Sequence, residues 1–190
     1  VSSVDASRRA FLRRLGSFGL AAAFAACGVA SAEASAATAD EAALRDEADP
    51  GAAPFEVGAE RCPYCSMAVI DARFAAQQRT VSGRVHVYDA IECLVDHIAG
   101  HGGPPLTAGW CYIADYAASS RDAAQLISVH EATVVQHERF RTPMGGGLVG
   151  FGSAAGAAAF VAERGVGNAE AWAWSALVER ARTEPWVRAR

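Results

Sequence analysis

The sequence predicts an α+β fold made of two successive ββαβ units, spanning about residues 68–116 and 133–178. Three observations carry this. Arg84-Val85-His86-Val87-Tyr88 alternates strictly, as a half-buried strand does. A helix with start and stop signals follows at once, beginning at Asp89 and ending at Gly100. The same order of signals then returns after Thr133, with a second helix between Ser153 and Gly165. The 190 residues are 52% hydrophobic and 20% charged, the composition of a globular chain.

In the first unit, Ala68 to Asp71 and Phe74 to Val81 read as strands, and Ser82-Gly83 as the turn into 84–88. Val85 and Val87 share one face of that strand; Arg84, His86 and Tyr88 share the other. Asp89 is a suitable N-cap, with Glu92 three positions on in the manner of a capping box. Ile91, Leu94, Val95 and Ile98 form the apolar stripe of the helix. A loop through His101-Gly102-Gly103-Pro104-Pro105 leads to a strand from Trp110 to Tyr116. In the second unit, Thr133 to Phe140 and Leu148 to Phe151 read as strands around the turn Thr142 to Gly147. Ser153 caps an Ala-rich helix to about Arg164, and Ala171 to Leu177, with alternating Trp172 and Trp174, reads as a closing strand.

The N-terminus belongs to no domain. Ser7-Arg8-Arg9-Ala10-Phe11-Leu12 with the apolar run Leu15 to Ala26 is a secretory signal, too short for a comfortable membrane span. Its paired arginines resemble a twin-arginine address. Phe24-Ala25-Ala26-Cys27 resembles a lipobox, which would make Cys27 the acylated first residue of a mature, membrane-anchored protein. Cleavage after Ala32 or Ala36 is the plainer alternative. Residues 28–54 are Ala, Ser, Glu and Asp with almost no large apolar side chain, and read as a flexible tether. The domain is expected over 55–180, with 181–190 as a tail. Formal charge is −4, and removal of residues 1–27 takes it to −7. With no Lys and no basic cluster beyond the signal, nucleic acid is not an expected partner.

Chemistry concentrates in Cys62-Pro63-Tyr64-Cys65-Ser66-Met67, two thiols and a thioether in a chain with five Cys and two Met. Such soft donors suit Cu(I), and thiolates also suit zinc or iron–sulfur clusters. Met67 lies in a polar segment and Met144 in a Gly-rich turn, neither a position that core packing demands. Cu(I) can use two or three soft ligands, whereas a structural zinc site takes four and no second Cys-x-x-Cys supplies them. Cys62, Cys65 and Met67 are therefore the first ligand candidates, with Met144 and Cys93 behind them. Cys93 and His97 lie four apart on one helix face and could make a ligand pair, but Cys93 also borders the apolar stripe and by pattern alone reads first as a buried inert thiol. Cys111, beside Trp110, reads as core or as a disulfide partner. In an oxidising compartment, two structural disulfides among Cys62, Cys65, Cys93 and Cys111 are a further reading.

Three segments together resemble the NosL family of nitrous-oxide reductase accessory lipoproteins. They are Cys62 to Val69, Tyr88-Asp89-Ala90-Ile91-Glu92-Cys93-Leu94, and Thr142-Pro143-Met144-Gly145-Gly146-Gly147 with the Ala-rich helix after it. The lipoprotein-like signal agrees with them. Ser66 stands where the family usually has Gly, and Ala90 and Glu92 where Asp and Gly are common. The resemblance implies two ββαβ units and a periplasmic, membrane-tethered Cu(I) chaperone without enzymatic activity. Its copper would serve maturation of a cuproenzyme, nitrous-oxide reductase by implication.

Cys62-Pro63-Tyr64-Cys65 is also the tetrapeptide of glutaredoxins, which opens a thiol–disulfide oxidoreductase reading. That chemistry needs the first Cys at a helix N-terminus, where its pKa falls. Here Ser66 to Asp71 reads as strand. A disulfide-stabilised binding domain without catalysis is the third class. No Ser-His-Asp order, phosphate loop or paired-carboxylate pattern supports a hydrolase.

Overall fold

The computed structural model describes residues 48–102, 106 and 109–187. The signal, Cys27 and most of the expected tether lie outside the described residues. Strands β1 (Ala76–Thr80), β2 (Val85–Tyr88), β3 (Gly109–Ala114) and β4 (Leu126–Ser128) form one antiparallel sheet, ordered β2-β1-β3-β4. Strands β5 (Thr133–Gln136), β6 (Leu148–Phe151) and β7 (Glu170–Trp172) form a second, ordered β6-β5-β7. Helix α1 (Ile91–Ile98) separates β2 from β3, and α2 (Ala154–Glu163) separates β6 from β7. Each unit thus runs strand, strand, helix, strand, with its first strand between the other two. The α+β class and the paired ββαβ order both stand, with β4 and a C-terminal helix added.

Local chemistry explains each departure from the sequence reading. Ala68 to Asp71 is no strand: its pairing shrinks to one bridge, Arg61 with Ala68, and Asp71 instead accepts from the Arg73 amide to cap a short 3-10 helix at Ala72–Phe74. The apolar alternation of 171–177 breaks after Trp172, where α3 (Trp174–Thr183) begins. Leu177 and Ala181, four apart, give α3 its buried stripe. The expected tail is also tied down. Trp186 is buried, its indole donates to the Leu177 carbonyl at 3.2 Å, and the Trp186 and Val187 amides donate to the two Asp96 oxygens at 2.8 Å. Asp96 lies on α1, so this carboxylate fixes Trp186 and Val187 against the first helix.

The start of the domain is similarly anchored. Gln77, buried on β1, donates to and accepts from the Ala53 backbone at 2.8 and 2.7 Å. A side-chain amide that completes both partners of a neighbouring peptide behaves as a short extra strand pairing, without a buried polar cost.

One core serves both units. Tyr88, Ile91, Leu94 and Ile113 from the first pack with Val134 and Leu148 from the second and Leu177 and Trp186 from the C-terminal segment. The sheets meet closely at Gly150, whose carbonyl accepts from the Tyr116 amide at 2.9 Å. A Cβ there would stand 2.8 Å from the Ala114 carbonyl oxygen, backbone that cannot yield cheaply, so glycine suits that approach.

Candidate metal centre

Cys62 to Met67 form a tight chain reversal. The Cys62 amide donates to the Met67 carbonyl at 2.9 Å, and the Ser66 amide to the Cys62 carbonyl at 2.8 Å. Closing it places Ser66 at φ +64, in the left-handed region. The reversal buries Cys62 to 1% and leaves Cys65 half-buried, while Met67 is 41% exposed. Tyr64 anchors the turn against the His97 ring, at 6.0 Å between centroids.

The third thiol arrives from α1. The N-cap of that helix is Ala90, with no side-chain cap, so the capping role expected of Asp89 is not used. The Asp89 carboxylate turns to the thiols instead, where its Oδ1 accepts from the Cys65 thiol at 3.3 Å and from the Cys93 thiol at 3.2 Å. Glu92 likewise forms no capping box; its Oε1 reaches the second unit, accepting from the Thr142 hydroxyl and the Leu148 amide. Cys93 falls in the first turn of α1.

The result is a cluster of Cys62, Cys65, Cys93 and Asp89 whose ligand atoms all lie within 4.8 Å of one another. A tetrahedron of 2.3 Å bonds has edges of about 3.8 Å, so a modest contraction would close the group around an ion. The second Asp89 oxygen, Oδ2, is buried without a hydrogen-bond partner, a further sign of an unfinished shell. The thiols are not equivalent. The adjacent Cys93 thiol leads the groups that pull Cys62 down to about 7, against the effect of burial. Burial first, then the neighbouring negative groups, push Cys65 up to about 12. Cys93 is raised, first by its interaction with Cys62, then by burial and the neighbouring negative groups.

Of the sequence candidates, Cys62, Cys65 and Cys93 are therefore brought together. Met67 stands beside them at the rim, lining a cavity with Asp89, Thr142 and Pro143. Met144 is half-buried against the core that contains Cys62 and Cys93. His97 is outside the cluster; its Nδ1 meets the Tyr88 hydroxyl at 3.1 Å, and burial lowers its pKa. All four described cysteines, Cys111 included, are free thiols, so neither structural disulfide is present. The Cys62–Cys65 pair sits in a chain reversal rather than at a helix start, which removes the dipole activation that a glutaredoxin-type site uses. Asp89 escaped the sequence reading. Its signals were its place four residues before Cys93 and in the segment that resembles the NosL family, but a helix cap explained that position equally well.

The sequence model of the NosL family matches residues 54–172. The chain belongs to the NosL family. The crystal structure of the copper chaperone NosL from Shewanella denitrificans shares the fold, with a TM-score of 0.54 at 16% identity over 66% of this chain and 95% of that one. No curated protein matches the chain. The three thiols and Asp89 all lie inside the stretch that the NosL family model covers.

Proposed function

We propose that this NosL-family protein is a non-enzymatic Cu(I) chaperone that holds its cargo on Cys62, Cys65 and Cys93. The observation that carries the reading is the convergence of three thiols on one carboxylate, two from the chain reversal and one from a helix start. Three thiolates suit Cu(I) in two- or three-fold coordination. The exposed Met67 at the rim supplies a soft donor through which the ion enters or leaves by ligand exchange. Membership of the NosL family and the shared fold with a copper chaperone support the same cargo. Asp89 first holds the thiol protons in the empty state. When those protons leave, it stands next to the bound ion.

Export by a twin-arginine route, anchorage through acylated Cys27 and delivery to a cuproenzyme, nitrous-oxide reductase by family implication, complete the proposal. Among the described residues no helix is long and apolar enough to cross a membrane. Membrane fractionation of cells carrying Cys27→Ser tests that part: release from the membrane is the expected result.

The deciding experiment is anaerobic titration of the reduced protein with Cu(I) against a competing chelator. Binding tighter than micromolar, weakened tenfold or more in Cys65→Ser and in Cys93→Ser, is expected. Micromolar or weaker binding, unchanged in those variants, would end the reading. Asp89 gives one specific reason to run zinc in parallel, because three thiolates and a carboxylate also make a four-ligand zinc shell.

A further inference from the structure

Two cavities of about 470 and 450 Å3 adjoin each other and share Asp71, Phe74 and Arg141 as walls. The first opens at Met67 and Asp89, beside the thiols, and carries Arg121. The second continues away from them, with Arg73, Arg139 and Arg164 over a floor of Tyr116, Phe140 and Phe160. Together they form a groove that starts at the thiol cluster.

Its charge is opposite to that of the protein. The described residues hold ten Arg and fifteen Asp or Glu, a net −5. Five of those ten arginines line the groove, against two of the fifteen acids, giving it a net +3. The two acids are already occupied. Asp71 is paired with Arg73 at 2.6 Å, and Asp89 accepts from the thiols. Arg73 and Arg164 both donate to the Tyr116 hydroxyl and stack on aromatic rings, so they have structural roles. Arg121, Arg139 and Arg141 are exposed; Arg121 acts on Asp71 only through space, and among the described residues none of the three forms a contact ion pair. Guanidinium groups without a contact ion pair, Arg121 and Arg141 in the first cavity and Arg139 and Arg141 in the second with its aromatic rings, suit carboxylates that come with apolar side chains.

We propose that this groove docks an acidic segment of a protein partner and aligns that partner with the thiol cluster. A small carboxylate would fill one cavity, whereas two in series, opening at the thiols, fit an extended chain. The alignment rests on the copper reading above; the docking does not. Steering by complementary charge raises association rates and weakens with salt.

The test uses metal-free, reduced protein and a fluorescent peptide of about twelve residues, rich in Glu and Asp with one central Phe. Its Gln/Asn counterpart serves as control. Anisotropy is expected to show the acidic peptide binding at least tenfold more tightly than its counterpart at low salt, with the preference shrinking as salt rises. Arg139→Gln/Arg141→Gln is expected to lose tenfold or more while keeping its melting temperature and Cu(I) affinity. Arg84→Gln/Arg182→Gln, which removes the same charge elsewhere, is expected to bind normally. Equal binding of both peptides, or equal losses in the two double variants, overturns the groove. Peptide binding without copper binding keeps the groove and ends the chaperone reading; copper binding without peptide binding does the reverse.

Discussion

The Oε1 atom of Glu92 accepts a hydrogen bond from the Thr142 hydroxyl at 2.5 Å, joining the helix that carries Cys93 to the turn that carries Met144. Glu92 is fully buried, and the same oxygen also accepts from the Leu148 amide at 3.3 Å. Gly146 leaves room for this side chain, since a Cβ there would stand 2.6 Å from Glu92 Cγ. One carboxyl group therefore registers the two ββαβ units against each other beside the thiol cluster.

Glu92→Ala removes that link and strands a buried amide. The expected loss is about 2–4 kcal/mol of unfolding free energy in a denaturant titration. Glu92→Gln keeps an acceptor oxygen and should recover most of it. Equal losses in the two variants would show that volume, not the hydrogen bonds, is what matters.

Asp89→Asn separates the two metal readings. With Cu(I) on three thiolates, loss of the carboxylate charge should leave affinity within about threefold, since no ligand is removed. With zinc completing a four-ligand shell, the same change should cost tenfold or more, because metal-ligand bonds weaken directly. Parallel competition titrations with the two ions read the difference. A tenfold fall for Cu(I) would make Asp89 a copper ligand.

Asp71 supplies a pH-dependent part of stability. Burial opposes its ionisation, but the Arg73 side chain and amide outweigh that and hold its carboxyl below the usual range. A depressed folded pKa stabilises the protein above the unfolded value of about 4, and the contribution disappears as pH falls through the folded value. Arg73 is 35% exposed, so screening keeps the effect to no more than about 1 kcal/mol. Asp71→Asn should therefore melt lower than the parent at pH 7 and converge with it near pH 2–3. A constant difference across that range would remove the charge explanation.

Ser66→Gly should stabilise the chain reversal. Ser66 is held at φ +64, where a Cβ costs energy that glycine avoids. Against this stands the greater unfolded-state freedom of glycine, leaving a net gain of about 0.5–1 kcal/mol. Thermal unfolding of the two metal-free proteins measures it, and an unchanged or lower melting temperature would show that the turn is not strained.

The strand at 85–88, the Ser153 cap and the glycine at 165 were legible because each is a local signal whose effect is felt within a turn or two. The half-buried alternation of 84–88 does not hold, since Val85 is exposed and both Val87 and Tyr88 are buried. The helix at 174–183 was not. Trp172 and Trp174 alternate like a strand, and only the burial of Leu177 and Ala181 against the α1 region and Trp186 selects a helix there. Asp89 and Glu92 were misread for a related reason. The spacing of a capping box was present, but partners from Cys65 and from Thr142, far away in sequence, drew both carboxyl groups elsewhere.

The sequence alone determined that sulfur chemistry would be concentrated around Cys62 and Cys65, and that the domain would be two strand–strand–helix–strand units. Both follow from residue type and short-range periodicity. Only the tertiary structure decided that Cys93, rather than His97 or Cys111, joins those thiols and that Asp89 binds them together. That choice depends on how the chain reversal at 62–67 packs onto the first turn of α1. Such packing is set by a shared core drawn from both units and the C-terminal segment, and no spacing along the chain encodes it.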